Sequence, residues 1–114
     1  MSVVIYHNPR CSKSRQTLAL LEEKNIQPEI IKYLDTPPSV AELKSLFTQL
    51  CLNDVRAMMR TKEDIYKELH LADATDEQLF EAMAANPKLI ERPIVVSNGQ
   101  AKHGRPPEQV LDIL

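Results

Sequence analysis

The tightest constraint on the fold lies in the first 33 residues of this 114-residue chain. Val3-Val4-Ile5-Tyr6 is a short apolar run rich in β-branched residues. It is too short for a helix and has the composition of a buried strand. The run stops at His7-Asn8-Pro9. Ser12 to Lys24 follows with helical spacing, placing Thr17, Leu18 and Leu21 on one face. Pro28 breaks the chain, and Glu29-Ile30-Ile31-Lys32-Tyr33 reads as a second strand. Strand, helix and strand within about 30 residues form a βαβ unit. A helical crossover of this kind favours a parallel pair.

The middle of the chain is helical. Ser39-Val40-Ala41-Glu42 has the capping-box pattern, in which the serine caps and the glutamate reaches back. Leu43, Leu46, Phe47 and Leu50 then recur at i, i+3, i+4 and i+7, as on an amphipathic helix. Cys51 continues that face as Phe47 plus four, so it is expected in the core. Shorter helical pieces are expected around Asp54–Met59 and Glu63–Leu69. A second capping box, Thr75-Asp76-Glu77-Gln78, opens a helix through Leu79 and Met83 that ends at Asn86-Pro87.

The period changes again in the last third. Pro93-Ile94-Val95-Val96-Ser97 and Gln100-Ala101-Lys102-His103 flank Asn98-Gly99, the dipeptide that best marks a two-residue hairpin. Pro106 stands where the first turn of a helix tolerates proline, with Val110, Leu111 and Leu114 as an apolar face. The order β-α-β, helices, β-β-α implies an α/β fold with a four-stranded mixed sheet flanked by helices. The length suits a single domain, residues 1–114.

Composition excludes several function classes. The only glycines are Gly99 and Gly104, so neither a phosphate loop nor a dinucleotide fingerprint can be built. The formal charge of −2 argues against nucleic-acid binding by bulk charge. No apolar run approaches the ~18 residues of a membrane span, and Met-Ser-Val-Val-Ile-Tyr does not open like a signal peptide. Cys11 and Cys51 are too few for a disulfide scaffold, and His7, His70 and His103 make no zinc spacing with them. The expectation is a cytoplasmic protein with free thiols and no metal, in which His70 and His103 are surface residues.

Chemistry concentrates in the first loop, His7-Asn8-Pro9-Arg10-Cys11-Ser12-Lys13-Ser14-Arg15. Cys11 falls at or beside a helix start, where unpaired N–H groups and the positive dipole end favour an anion. A thiolate is such an anion, and thiols so placed have lowered pKa values. Arg10, Lys13 and Arg15 add positive charge within one turn, and His7 is close enough to add more. Ser12, Ser14 and Thr17 offer hydroxyls. The features that make a nucleophile here also attract an oxyanion.

Tyr6 to Arg15 resembles the active-site loop of the glutaredoxin-dependent arsenate reductases. The resemblance continues in Val55-Arg56-Ala57-Met58-Met59-Arg60, in Glu91-Arg92-Pro93-Ile94-Val95-Val96 and in Gly104-Arg105-Pro106-Pro107-Glu108. It implies a thioredoxin-like fold with a helical insertion between the βαβ and ββα units. It implies that Arg60, Arg92 and Arg105 bind the oxyanion around Cys11, with His7, Ser14, Arg15 and Pro93 in support. The Arg92-Pro93 bond would be the cis-proline such folds place beside the thiol.

The implied reaction reduces arsenate to arsenite for arsenic detoxification. The Cys11 thiolate attacks arsenic and expels water, glutathione attacks the adduct, and glutaredoxin completes the reduction. Arginine's planar fork suits such oxygens better than lysine. The enzyme would carry no bound cofactor, use glutathione as co-substrate, bind neither nucleic acid nor membrane, and work as a monomer. One reactive cysteine, with Cys51 buried far from it, suffices because the second thiol is external. Two other readings use the same residues. One is a general glutathione-linked thiol-disulfide oxidoreductase whose arginines bind carboxylates. The other is an RNA-polymerase-binding stress regulator of the same superfamily. Several such regulators sense oxidation through Cys-x-x-Cys, and here Ser14 stands at the second cysteine position.

Overall fold

The computed structural model describes residues 2–114, and these divide into two compact units, one of residues up to 36 with 92–114, the other of 37–91. The first unit carries strands β1 (Val3–Tyr6), β2 (Glu29–Ile31), β3 (Ile94–Ser97) and β4 (Gln100–His103), helix α1 (Ser12–Glu23) and a terminal 3-10 helix (Pro107–Ile113). The sheet order is β2-β1-β3-β4. β1 and β2 are parallel, with Ile5 opposite Ile30, as the crossover dictates. β3 runs antiparallel to β1, with Val95 opposite Ile5, and antiparallel to β4. Asn98 and Gly99 both have positive φ, 57° and 74°, the backbone of a type I′ turn. This mixed sheet is the thioredoxin-like arrangement.

Strand alternation puts Val3 and Ile5 on one face of β1, and Val95 on the same face of β3. Leu21 of α1 and Val110 and Ile113 of the 3-10 helix bury against Ile5 and Val95, with Val3, Leu18, Leu20 and Ile26 packed around them. The last helix departs from expectation. Its apolar residues do not form an α-helical face of Val110, Leu111 and Leu114. Three residues per turn align Pro107, Val110 and Ile113 instead, and these are buried while Leu111 and Leu114 are exposed.

The second unit contains α2 (Val40–Leu50), α3 (Asp64–Glu68), α4 (Asp76–Ala85) and three single-turn 3-10 helices, Val55–Met58, Leu71–Asp73 and Pro87–Leu89. Both capping boxes form with reciprocal bonds, Ser39 with Glu42 and Thr75 with Gln78. α2 packs on α4, and Phe47 meets Phe80 edge to face at 5.8 Å. Arg56 clamps the unit. Its Nε donates to the Tyr66 hydroxyl, and its Nη2 donates to the carbonyls of Leu71, Ala72 and Ala74. An isolated antiparallel bridge pairs Met59 with Ile90. It ties the segment carrying Arg60 to Glu91, the residue before Arg92. No helix among the described residues is long and apolar enough to cross a membrane.

Cys51 corrects the expectation of a core thiol. α2 ends at Leu50, and Cys51 takes a left-handed conformation, φ 56°. The 100°-per-residue rotation that would have carried its side chain onto the Leu43–Leu50 face stops one residue earlier. Cys51 is exposed.

Candidate active site

β1 ends at Tyr6, and the His7 N–H donates to the Ile31 carbonyl at 2.8 Å, extending the parallel ladder by one bond. The chain then turns. Asn8 forms an Asx turn, its Oδ1 accepting from the Arg10 N–H at 3.0 Å, and the Cys11 N–H donates to the Asn8 carbonyl at 3.0 Å. Cys11 is the N-cap residue of α1, extended at φ −93° and ψ 124°. Its carbonyl accepts the first bond of the helix, from the Arg15 N–H at 3.0 Å.

The thiol is 8% exposed. Burial raises its pKa, but the Ser14 N–H, the charge and hydrogen bond of Arg92, and the Lys13 N–H together outweigh that cost. The net pKa lies below the ordinary thiol value. No full capping bond closes onto Sγ; the first-turn N–H groups act on it as oriented dipoles. The helix start and the Arg92 guanidinium thus both favour the thiolate form of Cys11. Cys11 is the buried thiol, and Cys51, expected in the core, is the exposed one.

Arg92 reaches this thiol from two residues before β3, where the Arg92-Pro93 bond is cis, as the resemblance implied. The Arg105-Pro106 bond is cis as well. Arg105 joins the same corner, its Nη1 donating to the Arg92 carbonyl at 3.1 Å. The Gly104 N–H donates to the Pro93 carbonyl at 3.0 Å, which fixes the end of β4 against the start of β3. Thr17 packs from α1 onto Gly104, its hydroxyl donating to the Lys13 carbonyl at 2.8 Å. The first unit thus gathers Cys11, Arg92, Pro93 and Arg105. Arg60 lies in the second unit, half-buried, its Nη1 paired with Glu63 at 2.7 Å.

The supporting residues behave differently from one another. Ser14 is fully buried, with Oγ 2.6 Å from His7 Nδ1 and 3.0 Å from the Asn8 N–H. His7 corrects the expectation of added positive charge. Burial, with Lys32 and Arg15 nearby, lowers its pKa and so favours the neutral ring. Arg15 is exposed and folds back, Nη1 donating to the Pro9 carbonyl at 2.9 Å. Arg10 is exposed. His103 is half-buried, not a surface residue, whereas His70 is exposed as expected.

Sequence reasoning missed the electrostatic role of Lys32 and the partner of Arg60. Lys32 stands just past β2, and the His7–Ile31 bond brings that strand end to the loop; only the register reveals it. Glu63 lies three residues beyond Arg60, a helical ion-pair spacing that was a readable signal. Among the described residues, His, Cys, Asp and Glu nowhere gather in threes as a metal site requires.

The ArsC family profile matches residues 6–113. An arsenate reductase from Haemophilus influenzae is 57% identical, with all of both chains covered. YfgD of Escherichia coli K12 is 59% identical over 98% of this chain and 96% of its own length. The solved structure of an arsenate reductase from Vibrio cholerae superposes with a TM-score of 0.98 at 72% identity, covering 100% of this chain and 98% of that one. A matching family profile over nearly the full length and a whole-chain relative above half identity lead to one assignment: this chain belongs to the ArsC family.

Proposed function

We propose that this chain is an oxidoreductase that reduces arsenate to arsenite, with Cys11 as the nucleophile and residues 1–114 working as one domain. The observation that carries the reading is the pairing of the Cys11 thiol with the Arg92 guanidinium at the start of α1. A lowered thiol pKa supplies a nucleophile at neutral pH. The same cation and helix start offer donors to a tetrahedral oxyanion. Relatives named arsenate reductase, at 57% and 52% identity over the whole chain, support the substrate.

In the first step the thiolate attacks arsenic. A sulfur–arsenic bond forms, an arsenic–oxygen bond breaks, and the leaving hydroxide takes a proton to become water. Glutathione thiol then displaces a second oxygen as water, giving an arsenic(V) centre bonded to two sulfurs. A glutaredoxin thiol attacks the glutathione sulfur. That sulfur leaves in a mixed disulfide, and the electron pair of its bond to arsenic stays on arsenic, now As(III). Water displaces Cys11 from As(III), releasing arsenite and restoring the thiol.

Arg92, Arg105 and Arg60 bind the oxyanion in this scheme, and Pro93, Ser14, His7 and Arg15 shape the loop and its flank. The place of Arg60 rests on its match to the family motif. No cofactor is bound, glutathione is a co-substrate, and the enzyme works as a cytoplasmic monomer in arsenic detoxification. The test is a coupled assay with arsenate, glutathione and glutaredoxin, run beside one with thioredoxin. Arsenite formation dependent on glutathione and glutaredoxin, and lost in Cys11→Ser, is expected. Turnover with thioredoxin alone would overturn the coupling. Turnover in Cys11→Ser would overturn the mechanism.

A further inference from the structure

Glu63 is the N-cap residue of α3, yet its carboxylate caps nothing. It turns back and pairs with Arg60, Oε1 to Nη1 at 2.7 Å, with the two side chains 25% and 32% exposed. The backbone on both sides is fixed. The Arg60 N–H donates to the Leu89 carbonyl at 2.7 Å, and the Glu63 N–H donates to the Arg60 carbonyl at 3.2 Å. The ion pair, a charge-assisted contact between two half-buried side chains, holds the guanidinium from its Nη1 side.

We infer that Glu63 is a positioning residue for Arg60: its carboxylate fixes the guanidinium in place before a tetrahedral oxyanion arrives. This rests on the reading of Arg60 as an oxyanion ligand. An arginine side chain has large rotamer freedom, lost on binding unless lost beforehand. The ion pair with Glu63 removes that freedom in the empty enzyme. Glu63 forgoes its local cap to do so, although acceptors at that position ordinarily stabilise a helix start.

The test is steady-state kinetics of Glu63→Ala, Glu63→Gln, Arg60→Ala and the Arg60→Ala/Glu63→Ala double variant, with urea midpoints to confirm folding. Glu63→Ala should raise the KM for arsenate about three- to tenfold, with kcat changed less than twofold. Glu63→Gln keeps an oxygen acceptor at the same reach and should recover part of the loss. In the Arg60→Ala background, removing Glu63 should change nothing further. An unchanged or lowered KM in Glu63→Ala overturns the inference, a lowered one marking Glu63 as a competitor of the substrate. An effect of Glu63→Ala that persists without Arg60 overturns it as well. Wild-type kinetics in Arg60→Ala would instead sink the oxyanion reading of Arg60, and the role of Glu63 with it.

Discussion

The Ser14 hydroxyl lies 2.6 Å from His7 Nδ1 and accepts the Asn8 N–H at 3.0 Å. Oγ has a second lone pair and one proton, so the direction of the contact with Nδ1 follows the imidazole tautomer. Burial, Lys32 and Arg15 lower the pKa of His7 and favour its neutral ring. His7 serves the site as a buried hydrogen-bond partner that pins Ser14. Ser14 in turn belongs to the first turn of α1, whose Lys13 and Ser14 N–H groups face the Cys11 sulfur.

Ser14→Ala leaves both His7 Nδ1 and the Asn8 N–H without this partner in a buried place. The expected cost is ~1–3 kcal/mol, read as a lower urea midpoint with an unchanged slope. The midpoint of Cys11 alkylation should also rise, because a loosened first turn presents its N–H groups less well. An unaltered urea midpoint would show that the hydroxyl carries no structural weight.

The pH dependence of stability has two arms. The folded pKa of His7 lies below its unfolded value near ~6.5. Its stabilisation is therefore complete above that pH and lost as pH falls through the folded pKa. Cys11 also has a lowered folded pKa. Its contribution is complete above the unfolded value of ~8.5 and lost as pH falls through the folded one. The urea midpoint should thus climb as pH rises from below ~6.5 toward ~8.5. His7→Asn, which retains a polar group near the Nδ1 position and does not titrate, should flatten the lower part of the climb. Cys11→Ser should flatten the upper part. Superimposable curves for wild type and both variants would refute these assignments.

Local signals made much of this legible. Ser39, Thr75 and Asn98-Gly99 each act within a few residues, and each formed the box or turn expected of it. The βαβ opening was readable because chirality and crossover length leave few ways to return a chain to a sheet. What could not be read depends on where an element stops or on partners distant in sequence. Cys51 fits the α2 face by periodicity, but a one-residue change in the helix end turns it outward. The 3-10 period of Pro107–Ile113 swaps Leu111 and Leu114 for Pro107 and Ile113 inside. The charge of His7 was misjudged because a strand end and its lysine come alongside only in the fold. Nothing in residues 1–15 says that Arg92 meets Cys11; the family resemblance supplied that, and β3 lying beside β1 gives it a physical basis.

Gly104 has no room for a side chain. A Cβ there would overlap Thr17 Oγ1 and come within 2.8 Å of Pro93 Cγ. Both neighbours are committed, Thr17 to the Lys13 carbonyl and Pro93 to the Gly104 N–H. Gly104→Ala should cost about 1–3 kcal/mol, as overpacking does. It should also lower kcat/KM, because the displaced backbone carries Arg105. Full stability together with full turnover would show that the corner yields freely.

The two arginines of this corner should separate by readout. Arg92 acts on Cys11 directly, through charge and a hydrogen bond. Arg105 meets the corner through the Arg92 carbonyl, a backbone atom. Arg92→Ala should therefore raise the apparent pKa of Cys11 alkylation and also lower turnover. Losing one charged donor in the transition state costs ~2–4 kcal/mol by analogy with a single oxyanion-hole donor. That is a slowing of about 30- to 1000-fold. Arg92→Lys keeps the charge near sulfur but loses the planar fork. It should restore the alkylation midpoint more fully than the turnover. Arg105→Ala should lower turnover and leave the midpoint near that of the wild type. If Arg105→Ala moves the midpoint as far as Arg92→Ala does, Arg105 activates the thiol by way of Arg92. Wild-type turnover in both alanine variants would mean that neither arginine holds the oxyanion and that Cys11 works with the helix start alone.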